Sequence, residues 1–147
     1  MLPLRMRFRV MARRRLAPLA AIGAGLTFAA CADHLPDQDL RILQTTPVAK
    51  LSTDILWNEY QADKKAADRK YRGKAIEVSG KVSSVVPEAP ARLMFLPLKE
   101  STAGVEARLL DDQAKAALAT AAAEHVTLRC FCEGLATNVI LKSCVKR

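Results

Sequence analysis

The sequence predicts a mainly β fold with helices (α+β), in which five strands form a small barrel preceded by an N-terminal helix. Two observations indicate this fold. Five short runs rich in alternating or β-branched apolar residues follow residue 74, and an alanine-rich helical pattern separates the third run from the fourth. A helical pattern also precedes the first run. Once the first 30 residues are set aside, the remaining 117 residues are enough for one domain with a single modest core.

The first 30 residues have the pattern of a bacterial export signal. Residues 1–30 contain six arginines and no acidic residue. Their apolar stretch runs from Leu16 to Phe28 and is followed by Ala29-Ala30-Cys31. Lipoprotein signal peptidase cleaves before such a cysteine, which is then diacylated. The stretch is shorter than the roughly 20 residues that span a membrane, so we expect its removal. The sequence therefore predicts a lipoprotein-type signal peptide over residues 1–30 and lipidation of Cys31.

Two alternatives concern how the leader begins and where it is cut. Ala30-Cys31-Ala32 also fits the small-x-small site of ordinary signal peptidase, which would release a soluble periplasmic protein beginning at Asp33. A start at Met11 would give a more compact leader with the same end.

Ala32 lacks the aspartate that retains some lipoproteins in the inner membrane. By resemblance to that sorting rule, we expect a lipid-anchored protein that faces the periplasm, with the outer membrane favoured.

The net charge of the chain comes mainly from its leader. The whole sequence carries +8, but residues 1–30 contain six of the 23 basic residues and none of the 15 acidic ones, which leaves +2. Binding to a polyanion through bulk charge needs the excess on the folded domain. The high isoelectric point therefore does not indicate a nucleic-acid-binding protein.

Residues 31–50 have the composition of a flexible tether, and residues 51–147 form the predicted domain. The tether segment contains Pro36, Pro47 and several polar residues, with little apolar material besides Leu40, Ile42 and Leu43. Terminal segments are usually disordered unless they are tied down. The alternative is an arm that docks on the edge of the domain through Leu40 to Leu43.

The domain begins with one predicted helix that runs to about Lys70. Ser52-Thr53-Asp54 supplies N-cap candidates, and Gly73 is placed to end the helix in a left-handed conformation. Its apolar face is predicted to hold Ile55, Leu56, Tyr60, Ala67 and Tyr71.

The five predicted strands come in an order known from one small barrel. Gly80, inside the first of these strands, lets that strand coil and serve both sides of the barrel. The strands run from Ala75 to Val86, Arg92 to Leu98, Val105 to Leu110, His125 to Cys132 and Thr137 to Val145, and a helix is predicted from Gln113 to Ala122. Five strands with a helix between the third and the fourth is the order of the OB-fold, a partly open Greek-key barrel. A twisted open sheet with one helix on it would give the same pattern.

Both ends of the domain resemble one family. The segment Tyr60-Gln61-Ala62-Asp63-Lys64-Lys65-Ala66-Ala67-Asp68-Arg69-Lys70-Tyr71-Arg72-Gly73-Lys74, with Val78-Ser79-Gly80-Lys81-Val82, resembles the opening of the tRNA_anti-like family of OB-fold proteins. The stretch from Val126 through Cys132-Glu133-Gly134 to Cys144 resembles that family's closing hairpin. The resemblance covers about residues 51–147 and implies an OB-like fold. Many similar proteins are lipoproteins or membrane-anchored chains, so it also implies export, while function has to be argued from a site.

Three cysteines remain in an oxidising compartment if Cys31 carries lipid. Because Cys132 and Cys144 match the family's cysteines, the resemblance implies a disulfide between them and a free, buried Cys130. A bridge between Cys130 and Cys144 is the competing pairing. Cys130 and Cys132 share one face of a strand, and the register of the hairpin cannot be read from the sequence.

Neither a zinc site nor a redox motif is expected, and we predict no cofactor. His125, Cys130, Cys132 and Cys144 are residue types that zinc accepts, but the C-x2-C spacing typical of zinc knuckles is missing. The C-x-C pair on a strand also lacks the helix N-terminus that lowers a thiol pKa.

The predicted function is a non-enzymatic binding or assembly module of the cell envelope, with a protein or glycan partner. His34 lies in the tether, His125 begins a strand, and Asp111-Asp112 is explained as a helix cap, so no catalytic set can be assembled.

Oligonucleotide binding is the alternative function. It needs aromatic side chains that face outward beside a basic groove. The domain offers few of them, namely Trp57, Tyr60, Tyr71, Phe95 and Phe131, and three of these lie in the first helix. Export away from cytosolic nucleic acid also argues against this alternative.

Overall fold

A computed structural model of the chain describes residues 36–97, 101–113, 119 and 122–147. Its strands are β1 (Lys50–Ser52), β2 (Ala75–Lys81), β3 (Ser84–Val86), β4 (Arg92–Phe95), β5 (Val105–Leu109), β6 (His125–Leu135) and β7 (Val139–Lys146). Its helices are a 3-10 helix (Leu40–Leu43), α1 (Thr53–Ala62) and α2 (Lys64–Tyr71). None of these helices is long and apolar enough to cross a membrane. The predicted signal peptide and Cys31 lie outside the described residues, as does most of the helix predicted from Gln113 to Ala122.

The described strands form one sheet that curls into a half-barrel. Their order is β1-β2-β6-β7-β5-β4-β3, with β1 parallel to β2, β5 parallel to β7, and the other neighbours antiparallel. β2 and β3 follow each other directly in the chain, yet they lie near opposite ends of this order. The sheet must therefore curl back on itself, and the prediction that residues 75–86 serve both sides is confirmed by their pairing with β6 and with β4.

The prediction of five strands is wrong, because the sheet has seven in the part of the chain that the structure describes. One additional strand arises where the first predicted strand changes partners. The N–H of Val82 donates to the Glu124 carbonyl (2.9 Å), whereas the next N–H, that of Ser83, donates to the Met94 carbonyl (2.7 Å). This change of partner interrupts the strand between β2 and β3. The other additional strand, β1, comes from the segment before the first helix.

The single predicted helix is divided in two at Asp63. Asp63 has an extended backbone (φ −154°, ψ 97°), so α1 ends there, and its carboxylate accepts a hydrogen bond from the Ala66 N–H (3.0 Å), which caps α2. Aspartate competes for backbone N–H groups in this way more readily than helix-forming residues do. The hydroxyl of Ser52 caps α1 by accepting from the Ile55 N–H, as predicted. Gly73 has the predicted left-handed conformation (φ +75°) just after α2.

The main core lies between the two helices and the inner face of the curled sheet. Its fully buried side chains include Leu56 and Tyr60 of α1, and Ile76, Leu128 and Leu141 of the strands. Gly80 lets α1 approach β2 closely, because a Cβ atom at this position would lie 2.2 Å from Thr53 Oγ1. A glycine inside a strand commonly marks such a close approach.

Residues 36–52, which we call the arm, are docked on the domain. The Ile42 side chain is fully buried with Ala75, Leu110, Phe131 and Val145, and β1 extends the sheet beside β2. The tether expected over residues 31–50 is therefore corrected from residue 36 onward, and the docked-arm alternative holds there. Burial of Ile42 supplies the apolar contact that ties this terminal segment down.

Substitution Ile42→Ala should lower the free energy of unfolding by about 2–4 kcal/mol, because it removes a fully buried side chain. Leu43→Ala is the matched control, since Leu43 is 55% exposed and its loss should cost less than about 0.5 kcal/mol. Urea unfolding of both variants measures the difference. Equal losses would contradict a docked arm.

Candidate functional site

An open cleft of about 330 Å³ lies between α2, the turn that joins β6 to β7, and the outer face of β5 and β7. We call it the ionic cleft. Neighbours along a strand point to opposite faces, so Arg108 and Lys142 lie on the face opposite the core residues Ala107 and Leu141. The residues that line the cleft are Lys64, Asp68, Arg72, Arg108, Glu133, Gly134, Leu135, Ala136, Ile140 and Lys142.

The helical wall of the ionic cleft is tied to the β6–β7 turn. Lys64 and Asp68 lie four residues apart on α2 and so share one face, and Arg72 follows the last residue of that helix. The Lys64 ammonium donates to the Leu135 carbonyl (2.8 Å), which joins the start of α2 to the end of β6. Gly134 has φ +113°, and a Cβ atom there would lie 2.9 Å from Asp68 Oδ1. A glycine is therefore required where the end of β6 approaches the helix.

The floor of the ionic cleft is a buried lysine held by two carboxylates. The Lys142 side chain is only 2% exposed, and its Nζ lies 2.7 Å from Glu133 Oε2 and 3.3 Å from Asp37 Oδ1. A buried ammonium is costly unless such partners surround it. Asp37 belongs to the arm, so the arm contributes directly to this charge cluster.

Arg108 lies beside Lys142 and shares Asp37 with it. Its Nε donates to Glu106 Oε1 (2.9 Å) and its Nη1 donates to Asp37 Oδ1 (3.4 Å). Partial burial acts against the charge on Arg108, but the hydrogen bonds and the charges of Glu106 and Asp37 outweigh it and raise the pKa of the guanidinium. Arg108 therefore stays charged, and together with Lys142 it forms a fixed pair of cations.

The lining of the ionic cleft has more positive than negative groups. Among the described residues, four cationic side chains line it against the carboxylates of Asp68 and Glu133, while Asp37 and Glu106 pair with two of these cations from beside the lining. An anionic group that enters the cleft would meet Arg and Lys donors in partly dehydrated surroundings, where charged hydrogen bonds are strong. The arrangement suits recognition of an acid.

The disulfide joins Cys130 to Cys144, and Cys132 is a free, buried thiol. The structure therefore contains the competing bridge, between Cys130 and Cys144, and not the bridge between Cys132 and Cys144 that the resemblance implied. The reason lies in the register of the hairpin. Phe131 is opposite Lys142 and Arg129 is opposite Val145, so one residue of β6, Cys130, faces two residues of β7.

The extra residue in β7 is Ser143, which forms a bulge. It has a left-handed backbone (φ +54°), which is unusual for a residue with a side chain. The bulge brings the Cα of Cys144 within 4.3 Å of that of Cys130, whereas Cys132 is paired with Leu141.

The environment of Cys132 keeps its thiol protonated at neutral pH. Burial raises the pKa of Cys132 to about 11, although a hydrogen-bond contact with the Tyr60 hydroxyl (3.4 Å) acts in the opposite direction. Burial also raises the pKa of Tyr60, whose hydroxyl donates to Asp68 Oδ1 (3.2 Å). Tyr60 thus links the core to the helical wall of the ionic cleft.

The structure does not bring the four zinc-ligand candidates together. Cys130 and Cys144 are bonded to each other, Cys132 is in the core, and His125 is exposed at the first residue of β6. Across residues 36–97, 101–113, 119 and 122–147, no group of three or more His, Cys, Asp or Glu side chains is arranged to hold a metal ion. His34, the other histidine of the sequence, precedes the described residues.

The aromatic residues considered for base stacking face the core or are partly covered. Tyr60, Tyr71, Phe95 and Phe131 are each at most 7% exposed, and Trp57 is half-buried against the core. These five therefore do not form an outward stacking platform.

The cleft residues themselves were not identified from the sequence. A charged residue in the strongly apolar closing strand, Lys142 beside Leu141, is the local signal that could have pointed to the site, because a lysine there must find partners.

The curled sheet, with its outer face carrying a charged cleft, defines a small OB-like module. The chain belongs to the tRNA_anti-like family, whose profile matches residues 14–145. Its fold is similar to that of a crystal structure from Klebsiella pneumoniae subsp. pneumoniae MGH 78578 described as a "putative nucleic acid-binding lipoprotein". The match has a TM-score of 0.52 at 11% identity and covers 77% of this chain and 99% of that one, so it bears on the fold alone. Comparison with curated proteins finds no match.

The raised pKa of Cys132 makes the free energy of unfolding depend on pH. In the folded protein the pKa of the Cys132 thiol is raised to about 11, so the unfolded chain loses the thiol proton first as the pH increases. The stabilisation that this shift provides is fully present below about pH 9 and is lost towards pH 11. The free energy of unfolding of the wild type should therefore fall more steeply over this range than that of Cys132→Ala. Urea unfolding at several pH values measures both curves, which share the titration of Tyr60. Parallel curves would be inconsistent with a buried neutral thiol.

Proposed function

We propose that this protein is a non-enzymatic lipoprotein of the bacterial cell envelope that presents its OB-like module to a protein or glycan partner through the ionic cleft. The observation that carries the proposal is the pair of cations, Arg108 and Lys142, held in fixed positions at the floor of an open cleft. Ionisable groups engaged in this way suit recognition of charge better than proton transfer, which needs a group that gains and loses a proton near neutral pH.

The lipid anchor and the docked arm together would place the module close to the membrane. Pro36, the first described residue of the arm, follows Cys31 by only five positions, a distance that an extended chain spans in at most about 17 Å. A lipid on Cys31 would therefore hold the barrel near the bilayer, and the cleft would meet partners at the membrane surface. The periplasmic face of the outer membrane is the proposed location, with a soluble periplasmic form as the alternative.

Oligonucleotide binding is a second candidate function. The similar Klebsiella structure is described as nucleic acid-binding, and Lys64, Arg72 and Arg108 offer cations that could contact phosphates. Single-strand binding also relies on exposed aromatic rings, and the five candidates here are largely buried. The ionic cleft without a stacking platform favours the first candidate.

Photo-crosslinking in the native envelope tests the proposed function. A crosslinking residue at Ala136, which is exposed at the rim of the ionic cleft, should give an adduct with a partner, because the partner binds there. The same residue at Ser84, exposed on β3 and outside the cleft lining, is the matched control and should give none. Mass spectrometry of the adduct distinguishes a protein from a glycan.

Oligonucleotide binding, the second candidate, predicts a different result, which is measured on the purified protein. A labelled single-stranded oligonucleotide should then bind the purified protein with an affinity that falls steeply as salt rises, since phosphate contacts release counterions. Adducts of equal yield from both positions, or such salt-dependent binding, would count against the cleft as a partner site in the envelope.

Substitution Cys31→Ser should release the protein from the membrane fraction, because serine cannot accept the thioether-linked lipid. Fractionation, with mass measurement of the mature N-terminus, gives the result. Cys132→Ala is the control and should remain membrane-bound. A Cys31→Ser variant that still sediments with the membrane would disprove the anchor.

A further inference from the structure

The geometry points to a seat for an acidic side chain of a protein partner, formed by Arg108 and Lys142 and filled in this conformation by Asp37 of the chain's own arm. This inference rests on the proposed function of the ionic cleft as the partner site. It adds the chemistry of the partner and an internal competitor for it.

Asp37 has the position of a bound carboxylate ligand. One oxygen, Oδ1, lies 3.4 Å from Arg108 Nη1 and 3.3 Å from Lys142 Nζ, so the two cations converge on it. The Lys142 side chain is 2% exposed and that of Asp37 is 39% exposed. Of the carboxylates of Asp37 and Glu133, which both contact Lys142, that of Asp37 is the more exposed, so it is the one with which an incoming carboxylate would compete.

Asp37 is the exchangeable member of the carboxylates around this pair. Glu133 lies 2.7 Å from Lys142 and Glu106 lies 2.9 Å from Arg108, and both of these carboxylates are well covered, with side chains 16% and 10% exposed. The contacts of Asp37 are longer and its side chain is more exposed, so water and salt weaken them more. If Asp37 leaves, each cation keeps one fixed partner and the seat stays built.

The surroundings of the seat suit a peptide. The Ser143 hydroxyl, fully buried at the β7 bulge, donates to the Pro36 carbonyl (3.1 Å) and accepts from the Asp39 N–H (2.8 Å). Main-chain groups on both sides of Asp37 are thus recognised together with its carboxylate. A sugar acid has no such repeating N–H and C=O groups, so the seat fits an acidic segment of a protein better than an acidic glycan.

An internal ligand of this kind lowers the apparent affinity for an external one. The observed dissociation constant is the intrinsic constant divided by the fraction of molecules in which the seat is open. Weakening the internal ligand should therefore tighten partner binding. An internal carboxylate with a purely structural role would have no such effect.

The experiment titrates the purified protein with a short peptide of alternating Glu and Ser, and with its Gln–Ser counterpart as the uncharged probe. Asp37→Asn keeps the shape of the side chain and removes its charge, so the Glu–Ser peptide should bind about tenfold more tightly than to the wild type. Asp54→Asn is the matched control, since Asp54 is an exposed carboxylate of α1 outside the cleft lining and its neutralisation should leave affinity unchanged. Arg108→Gln should abolish the gain when combined with Asp37→Asn.

The outcomes separate this inference from the proposed function. Unchanged or weaker binding by Asp37→Asn, with the Ala136 adduct intact in the envelope, overturns the seat and leaves the function standing. Tighter binding of an oligogalacturonate than of the Glu–Ser peptide overturns the choice of a protein partner. Failure of every variant to bind the peptide overturns the seat as well. If no Ala136 adduct forms either, the proposed function fails with it.

Discussion

The pairing of β6 with β7, including the extra residue at Ser143, is the constraint on which the rest of the structure depends. This register decides which cysteines meet, because it sets Cys144 opposite Cys130. It also places the Ser143 hydroxyl where it binds the arm on both sides of Asp37. One bulge thus links the covalent bond in the core to the docking of the arm outside it.

Buried charge explains why the arm and the ionic cleft form one unit. Lys142 is almost fully covered, and a covered ammonium requires carboxylates from several directions. Glu133 supplies one from the neighbouring strand, and Asp37 supplies another from the arm. The segment that follows the proposed lipidation site, Cys31, is therefore also part of the proposed binding site, so anchoring and recognition would meet in the same few residues.

Much of the local structure could be predicted, whereas the cleft could not. The caps at Ser52 and Gly73 were foreseen because each depends on residues close in sequence. The helix break at Asp63 is not visible in the apolar periodicity, although the Asp63 side chain acts only three residues ahead. The cleft combines the arm, α2, β5 and the β6–β7 turn, and no local pattern records that these segments meet.

The sequence by itself determined the mainly β class with helices ahead of the longer strands, the family, and a leader pattern that predicts export. These properties follow from periodicity, capping and local composition, which act over a few residues. Only the tertiary structure decided that the described residues form seven strands, that the arm is docked, that Cys130 is bridged to Cys144 and that Arg108 lies beside Lys142. Cys130 and Cys132 lie two residues apart and face the same side of one strand. The alternation of side chains therefore cannot tell which of them meets Cys144, and only the register of the partner strand decides it.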